Sequence, residues 1–285
     1  MTEKELIQDL IRLAFAEDIG DGDHTTLCSI PETEKGQSKL LIKEEGVLAG
    51  VDIAIEVFHA FDPELQVELF LHDGASVKPG DIAFIVSGKV RSILQTERLV
   101  LNIMQRMSGI ATITNAYMKL LEGTSAKVLD TRKTTPGMRI LEKQAVKIGG
   151  GENHRIGLFD MILLKDNHVD FAGGIENAIR GAQYYLKEKN KKLKIEIEVR
   201  SIAELEEVLR IGGIDRIMLD NFTPGQTLEA VKIVKTLNER VELESSGGIT
   251  IDTIREYAET GVDYISVGAL THSVKSLDMS LKRAI

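Results

Sequence analysis

The sequence has one cysteine, no excess of positive charge and no long hydrophobic run, and each absence narrows the possibilities. Cys28 has no second cysteine for an intramolecular disulfide, so we expect a reducing compartment, in the simplest case the cytoplasm. The formal net charge of −9 argues against nonspecific binding to nucleic acid. An anionic ligand would have to be attracted by a local basic pocket rather than by the field of the whole protein.

Segments that would direct the chain into or across a membrane are also missing from the sequence. No window reaches the ~18 apolar residues that a membrane-spanning helix requires. Residues 1–9 carry four charged side chains and no apolar core of signal-peptide length. There is no low-complexity segment and no linker rich in proline, glycine or serine, so we expect no membrane partner and closely packed domains.

The length of 285 residues suits one barrel and a smaller domain. Helical spacing in residues 3–17 is followed by short strand patterns between residues 38 and 92, which predict an α+β or sandwich-like domain. A helix is predicted over residues 94–105, with a break at Ser108-Gly109 and a second helix to about Leu121. We therefore place the first domain at residues 1–120 and the barrel at 121–273. A final helix over residues 276–283, within the segment 274–285, is expected to return to the first domain.

Six short apolar runs in the second half of the chain each end in polar or glycine residues. They occupy residues 126–130, 161–164, 195–199, 216–219, 241–243 and 264–267. Strands that alternate with helical stretches indicate a parallel sheet, here most simply closed into a barrel. Such barrels carry their chemistry at the C-terminal ends of the strands, so the residues that end these runs should assemble one site.

Cationic side chains end or follow the first two runs. Arg132 and Lys133 follow the first run, Lys165 ends the second, and a glycine-rich loop between them leads to His154 and Arg155. Arginine suits bidentate capture of a carboxylate, whereas lysine acts as a mobile point charge for phosphate. The loop lacks the P-loop pattern, but His154 and Arg155 can both donate to an anion. Solvated surface charge is the alternative for Arg132 and Lys133.

Carboxylates mark the third and fourth runs. Glu196 and Glu198 lie two residues apart and so share one strand face, while Asp220 follows the fourth run. Glu198 and Asp220 are hard oxygen ligands which, with phosphate oxygens, form a normal Mg²⁺ environment. Either acid could also stabilise positive charge that develops on a sugar ring. Structural salt bridges to Arg200 or Arg216 are the alternative.

Glycine-containing turns follow the last two runs, where barrels of this kind often bind phosphate. Glycine lets backbone N–H groups approach an anion closely, and a helix N-terminus adds its dipole. The residues of these two turns are Ser246, Gly247, Gly248, Val267, Gly268 and Ala269. Together with the cations and carboxylates, they predict a polyanionic, phosphate-bearing substrate and a metal.

Two other functions are compatible with parts of this pattern. Lys165 at the mouth of a barrel could form a Schiff base, as in a class I aldolase. Its neighbours Asp166, Asn167 and His168, and the other cations of the site, argue against that role. The chain could also be a catalytically silent relative that only binds a nucleotide or a partner protein, but the complete set of charged strand ends argues against it.

The order of these motifs along nearly the whole chain resembles the quinolinate phosphoribosyltransferase family. The resemblance rests on Glu97-Arg98 with Asn102 and on residues 17–26, 106–112, 130–137, 150–155, 164–168, 219–221, 244–248 and 267–273. It implies an N-terminal α/β sandwich domain and an open, atypical α/β barrel of the phosphoribosyltransferase type. It also implies transfer of phosphoribosyl from phosphoribosyl pyrophosphate to quinolinate, giving nicotinate mononucleotide, pyrophosphate and CO₂ in NAD biosynthesis. A related enzyme acting on another pyridine or pyrimidine acid is the alternative.

The resemblance also implies a role for each site residue. Arg132, His154, Arg155 and Lys165 would bind quinolinate, and Arg106 would reach in from the partner chain of a homodimer or of a hexamer built from three dimers. Lys133 would bind phosphoribosyl pyrophosphate. Glu198 and Asp220 would serve the same substrate and its Mg²⁺, and with Lys165 they form the catalytic set. The two glycine turns would hold the 5′-phosphate.

Overall fold

The structure, a computed structural model, describes residues 2–237 and 241–284. The helices are α1 (Glu3–Ile19), α2 (His24–Ser29), α3 (Val51–Phe61), α4 (Val90–Leu120), α5 (Arg139–Ile148), α6 (Asp166–Ala172), α7 (Ile175–Glu188), α8 (Ile202–Ile211), α9 (Pro224–Leu237), α10 (Ile254–Ala258) and α11 (Ala269–His272). The strands are β1 (Lys35–Ile42), β2 (Gly46–Val47), β3 (Gln66–Leu69), β4 (Ser76–Val77), β5 (Ile82–Lys89), β6 (Lys127–Leu129), β7 (Ile162–Leu164), β8 (Ile195–Val199), β9 (Arg216–Asp220), β10 (Glu242–Ser246), β11 (Tyr264–Ser266) and β12 (Met279–Arg283). The resulting architecture is an N-terminal α/β sheet domain followed by a parallel α/β domain, as predicted.

The described residues form two compact units. The first contains the residues up to 115, residues 134–150 and those from 270 onward, and the second contains residues 116–133 and 151–269. Helix α5 thus groups with the first unit, whereas the division predicted at residue 120 assigned it to the barrel. The structure contains no helix that is both long and apolar enough to span a membrane within the described residues.

The first unit contains an antiparallel sheet with the strand order β12-β1-β5-β3. Alternate residues of its strands, such as Leu40 and Ile42 in β1 and Phe84 and Val86 in β5, are fully buried. Helix α3 packs on this layer, since the ring of Phe58 meets that of Phe84 edge to face at 5.8 Å. The period-two pattern of the strands therefore supplies the core of this unit.

Residues 279–283 form a strand, so the predicted helix over 276–283 is wrong. Strand β12 pairs antiparallel with β1, and Leu281 lies opposite Leu40. Met279 and Leu281 are buried while Lys282 is exposed. Because this short segment alternates, it can complete the edge of a sheet. The expected return of residues 274–285 to the N-terminal domain is thus made by a strand.

Helix α4 is continuous, so the predicted break at Ser108-Gly109 is also wrong. The Ser108 hydroxyl accepts a hydrogen bond from the Ala49 N–H at 2.8 Å and donates one to the Ala49 carbonyl oxygen at 3.1 Å. Gly109 packs against the carbonyl oxygen of Lys275, which an added Cβ would overlap. Both residues serve close packing inside the helix rather than its termination.

The second unit is built around a six-stranded parallel sheet with the order β6-β11-β10-β9-β8-β7. These strands confirm the six predicted runs. The closed barrel that the strand pattern alone favoured is not formed in the described residues, since no pairing joins β6 to β7. Instead, the Glu152 backbone occupies the edge of β6, where its N–H donates to the Val128 carbonyl oxygen at 2.8 Å. The open barrel implied by the family resemblance is therefore the one observed.

One face of this parallel sheet carries the polar side chains. Every residue of β8 is buried, and the apolar residues of this strand alternate with Glu196 and Glu198. The register places Glu196 opposite Arg216 of β9 and Asp220 opposite Ser246 of β10. The polar residues of neighbouring strands are thus brought onto the same face, and those nearest the C-terminal ends form the candidate site.

Candidate active site

Lys165, Glu198 and Asp220 form the most closely connected group at the strand ends. The Lys165 Nζ lies 3.5 Å from the Glu198 Oε2. Burial raises the pKa of the Glu198 carboxyl; the positive charge of Lys165 opposes this rise, and the negative charge of Asp220 adds to it. A desolvated carboxylate beside a second acid is stabilised by a cation, so the electrostatics of this group favour a bound positive charge.

Local backbone structure fixes the base of Lys165. This residue precedes helix α6, and its N–H donates to the Nδ1 of His168 at 2.9 Å. The lysine side chain remains about half exposed. The backbone of Lys165 is therefore fixed, while its ammonium group remains accessible to a ligand.

The donor set of Glu198 and Asp220 fits Mg²⁺. Both are carboxylates, and the Asn221 side-chain amide donates to the Asp220 Oδ2 at 2.7 Å, which orients that acid. Hard oxygen ligands, of which a few come from the protein and the rest from phosphate and water, are the usual environment of Mg²⁺. The residues present are thus compatible with the metal predicted from the sequence.

Arg132 and Arg155 form a second cationic group. Arg155 is 8% exposed, and its Nη1 donates to the Met161 carbonyl oxygen at 3.2 Å. Burial lowers the pKa of Arg155, and the positive charge of Arg132 lowers it further. Arg132 itself is exposed. Two arginines close enough to repel each other are suited to an anionic group between them.

His154 precedes Arg155 and is also buried. Its backbone N–H donates to the Asp130 Oδ1 at 3.0 Å, and its Nδ1 accepts the Arg155 backbone N–H at 2.8 Å. Its Nε2 lies 3.0 Å from the Glu196 Oε2. Both ring nitrogens of His154 therefore face protein groups, and its direct contact with quinolinate remains a prediction.

Behind these residues lies a buried cluster of His154, Glu196 and Glu244, together with Arg216. The Glu244 Oε2 is 3.5 Å from the His154 Nε2 and 3.1 Å from the Arg216 Nη1. Burial raises the pKa of both Glu196 and Glu244, against the opposing effect of Arg216. One ligand atom from each of His154, Glu196 and Glu244 lies within 4.8 Å of the others, as in a metal site.

Sequence reasoning assigned no role to Glu244, although its position in the chain contains the necessary signal. It stands two residues before Ser246, a proposed phosphate ligand, so period two places both residues on the same face. Arg216 was considered only as a salt-bridge partner, which is its observed role. It contacts Glu242 and Glu244, and its guanidinium lies 3.9 Å from the centre of the Tyr264 ring.

The turn after β10 has the backbone expected of an anion-binding loop. Gly247 and Gly248 have φ values of 98° and 62°, which side-chain-bearing residues rarely adopt. A Cβ on Gly247 would overlap the Asn221 side chain, and the Asn221 N–H donates to the Ser246 carbonyl oxygen at 2.8 Å. This turn is therefore packed against the residue that orients Asp220.

The other predicted phosphate ligands also lie at the C-terminal ends of strands. The Val267 N–H donates to the Leu129 carbonyl oxygen at 2.9 Å, which ties the turn after β11 to β6, and Ala269 begins helix α11. Lys133 is exposed in the loop after β6, where its N–H donates to the Thr131 hydroxyl at 3.1 Å. Phosphate binding by these residues remains a prediction.

Arg106 belongs to the first unit and has a partner within its own chain. Its Nη2 lies 2.9 Å from the Oε1 of the fully buried Glu142, and its guanidinium also bonds the Thr271 carbonyl oxygen. Glu142 Oε2 in turn accepts the Thr135 N–H at 3.1 Å. Arg106 is therefore held in a hydrogen-bonded network of the first unit.

Two family models together match most of the chain. A family model described as quinolinate phosphoribosyl transferase, C-terminal domain, matches residues 110–282, and the corresponding N-terminal domain model matches residues 23–108. A Nicotiana tabacum protein named quinolinate phosphoribosyltransferase (decarboxylating) 1b is 44% identical, over 97% of this chain and 82% of its own. A Bacillus subtilis protein named probable nicotinate-nucleotide pyrophosphorylase (carboxylating) is 40% identical, over 96% of this chain and 92% of its own.

Solved structures agree with the family models. The crystal structure of NadC from Streptococcus pyogenes matches with a TM-score of 0.91 at 39% identity, covering 100% of this chain and 99% of that one. The nicotinate-nucleotide pyrophosphorylase from Francisella tularensis matches with a TM-score of 0.88 at 39% identity, covering 100% and 98%. Since both family models and the full-length relatives match in sequence and in fold, the chain belongs to the quinolinate phosphoribosyltransferase family.

Proposed function

We propose that this chain transfers the phosphoribosyl group of phosphoribosyl pyrophosphate to quinolinate, with loss of CO₂, to give nicotinate mononucleotide for NAD biosynthesis. The observation that carries the proposal is the pair of neighbouring arginines, Arg132 and Arg155, on the same barrel as the Lys165–Glu198 ion pair. Quinolinate has two adjacent carboxylates, which require several cationic donors. The names of the relatives support the same reaction.

In this proposal the positive side chains bind and orient the aromatic acid. Arg132 and Arg155 supply planar forks for carboxylate groups, and Lys165 supplies a point charge. Lys133 and the glycine turns at Gly247 and Gly268 bind the phosphates of the second substrate through charge and backbone N–H groups. Holding both substrates in contact converts a bimolecular step into an effectively unimolecular one.

The chemistry requires no protein nucleophile. Departure of pyrophosphate leaves positive charge on the ribosyl ring, which the Glu198 and Asp220 carboxylates can stabilise. The quinolinate ring nitrogen forms the new bond to the anomeric carbon and becomes cationic. The electron pair left at the neighbouring carbon when CO₂ departs is stabilised by that cationic nitrogen, and the carbon then takes up a proton from solvent to give the product.

We propose Mg²⁺ as the metal, held by Glu198 and Asp220 together with substrate oxygens. When bound, the ion would neutralise the phosphates and help the departure of pyrophosphate. The carboxylate donor set and the effect of the Asp220 charge, which raises the pKa of Glu198, support this assignment.

We also propose that the chain acts as a homodimer, or as a hexamer of three dimers, in which Arg106 serves the neighbouring site. The support is the family resemblance. The contact with Glu142 would orient the Arg106 guanidinium for such a role. The same contact also gives Arg106 an ion-pair partner within its own chain. A cytoplasmic location, suggested by the single cysteine, stays a prediction, and curated plant relatives include proteins named chloroplastic and mitochondrial.

A Schiff-base aldolase is the weaker candidate. The contact between Lys165 and Glu198 suits an ammonium that binds an anion rather than an amine that attacks a carbonyl carbon. Borohydride treatment with a carbonyl substrate should therefore leave Lys165 unmodified.

The direct test is incubation of the purified chain with quinolinate, phosphoribosyl pyrophosphate and Mg²⁺. We expect stoichiometric release of CO₂ and formation of nicotinate mononucleotide, and we expect nicotinate to be a poor substrate because it lacks the second carboxylate. Turnover of nicotinate at the rate of quinolinate would overturn the substrate assignment.

A further inference from the structure

Two buried acids behind the site, Glu196 of β8 and Glu244 of β10, approach the same atom of His154. The distances from the His154 Nε2 are 3.0 Å to Glu196 and 3.5 Å to Glu244, and all three side chains are almost completely buried. The proposed reaction gives neither acid a contact with substrate. Burying two carboxylates is unfavourable unless they have partners, so their place beside the histidine requires an explanation.

The backbone of Arg155 determines which nitrogen of the His154 ring carries the proton. Because the Arg155 N–H donates to the Nδ1 at 2.8 Å, that nitrogen is an acceptor and carries no hydrogen in the neutral ring. The proton therefore resides on Nε2, the atom that faces the two carboxylates. The ring is thus oriented from both sides.

The same geometry argues against a metal in this cluster. A metal-bound Nε2 has no hydrogen, and the Nδ1 then carries the proton and donates it to an acceptor. In this structure the Nδ1 faces a donor, the Arg155 N–H. The Arg216 guanidinium also approaches the Glu244 Oε2 at 3.1 Å, which places a positive charge where a cation would bind.

We propose that Glu196 and Glu244 are positioning residues of the quinolinate site, which hold the His154 ring through their ion-pair contacts with its Nε2 and thereby fix the Arg155 backbone and guanidinium. In this assignment, which rests on the proposed function, His154 orients Arg155. The chain of contacts is continuous: carboxylates to Nε2, Nδ1 to the Arg155 N–H, and Arg155 Nη1 to the Met161 carbonyl oxygen. Asp130 anchors the start of this chain through the His154 N–H.

Strand β10 offers a matched pair of variants. Glu242 and Glu244 both contact Arg216 at 3.1 Å, but among the described ion pairs only Glu244 reaches His154. Glu244→Leu and Glu242→Leu therefore both remove an Arg216 contact. Glu244→Leu also removes a histidine contact, whereas Glu242→Leu also removes the contact of Glu242 with Lys194. Glu244→Gln has a side chain of about the same size and keeps an acceptor oxygen, so it serves as the conservative variant. Glu196→Leu and Glu196→Gln repeat the comparison on β8.

The experiment measures steady-state constants for both substrates together with calorimetric quinolinate binding. We expect Glu244→Leu and Glu196→Leu to raise the KM and Kd for quinolinate by roughly tenfold or more, because misplaced binding groups lose affinity and rate. The KM for phosphoribosyl pyrophosphate should stay within about twofold, and the Gln variants should recover most of the affinity. Glu242→Leu should behave like wild type towards quinolinate.

Nitrogen-15 NMR of the histidine rings provides a readout that is independent of activity and is made on the wild-type protein. We expect wild-type His154, assigned with a His154→Gln variant, to be the Nε2–H tautomer. An Nδ1–H tautomer, one tightly bound metal ion per chain lost in Glu244→Gln, wild-type quinolinate constants in folded Leu variants, or an equal effect of Glu242→Leu would each overturn the inference. A wild-type enzyme that does not bind quinolinate would refute the proposed function instead, while the tautomer would still report on the histidine cluster.

Discussion

At the scale of single residues, the site places side chains of like charge close together. Burial and the positive charge of Arg132 lower the pKa of Arg155, and burial and the negative charge of Asp220 raise the pKa of Glu198. Like charges brought together in a partly desolvated place are stabilised when a ligand of opposite sign arrives. We therefore expect ligands of opposite charge to stabilise these two groups.

Arg155→Ala should weaken quinolinate binding by about 2–5 kcal/mol, because it removes one partner of a desolvated charge pair. Arg132→Ala should act in the same direction. Quinolinate Kd values from calorimetry check this. Arg180→Ala, which removes an exposed arginine of helix α7, is the control and should leave the Kd unchanged. Unaltered quinolinate affinity in both site variants would remove these arginines from the site.

Asp220→Asn and Glu198→Gln should lower kcat by roughly 10²-fold while changing quinolinate affinity little, since their proposed partners are the metal and the charged ribosyl group. Activity should also disappear with EDTA and return with Mg²⁺ or Mn²⁺. The comparison variant is Asp170→Asn, which removes an exposed partner of Arg200. Full activity in a metal-free double variant would refute the proposed roles.

At the scale of elements, the strands of the barrel were predictable and the breaks between helices were not. Strands β6 to β11 have strong apolar runs with polar ends, so both their positions and the site at their C-terminal ends could be inferred. Ser108 and Gly109 look like a helix break in the sequence, because their partners Ala49 and Lys275 are distant in the chain. Strand β12 was missed for a similar reason, since its long-range pairing with β1 defines it. Period two could have placed Glu244 on the face of Ser246, but its contact with His154 could not be read from the sequence.

Gly109→Ala should destabilise the fold by about 1–3 kcal/mol, because its Cβ would overlap the Lys275 carbonyl oxygen and force the backbone to shift. Gly181→Ala in helix α7 makes the same chemical change in open space. It should stabilise the protein by about 0.5–1 kcal/mol through helix propensity. Denaturant unfolding of both variants measures the contrast, and similar effects of the two would mean that Gly109 has no packing role.

At the scale of the whole molecule, the net charge of −9 contrasts with the cationic site. Attraction of a polyanionic substrate must therefore be local. The proposed assembly adds one more cation to each site, because Arg106 would come from a neighbouring chain. Each site would then be complete only in the oligomer. This proposal can be tested without a structure of the complex.

Mixing inactive chains should restore activity if Arg106 acts across an interface. Arg106→Ala and Lys165→Ala should each be nearly inactive alone. After mild dissociation and reassembly, random pairing should restore at most about a quarter of wild-type specific activity, because only hybrid dimers contain one intact site. Light scattering verifies reassembly. Demonstrated hybrid dimers without activity would confine Arg106 to its own chain, where Glu142 already holds it.

The pairing of β12 with β1 also has a consequence for synthesis of the protein. The N-terminal sheet needs a strand that the ribosome makes only after the entire second unit. Until then the open edge of β1 presents unpaired backbone groups to other chains. The first unit therefore begins to leave the ribosome first but is completed last. A chain arrested just before residue 279 should associate with other chains far more readily than the finished protein.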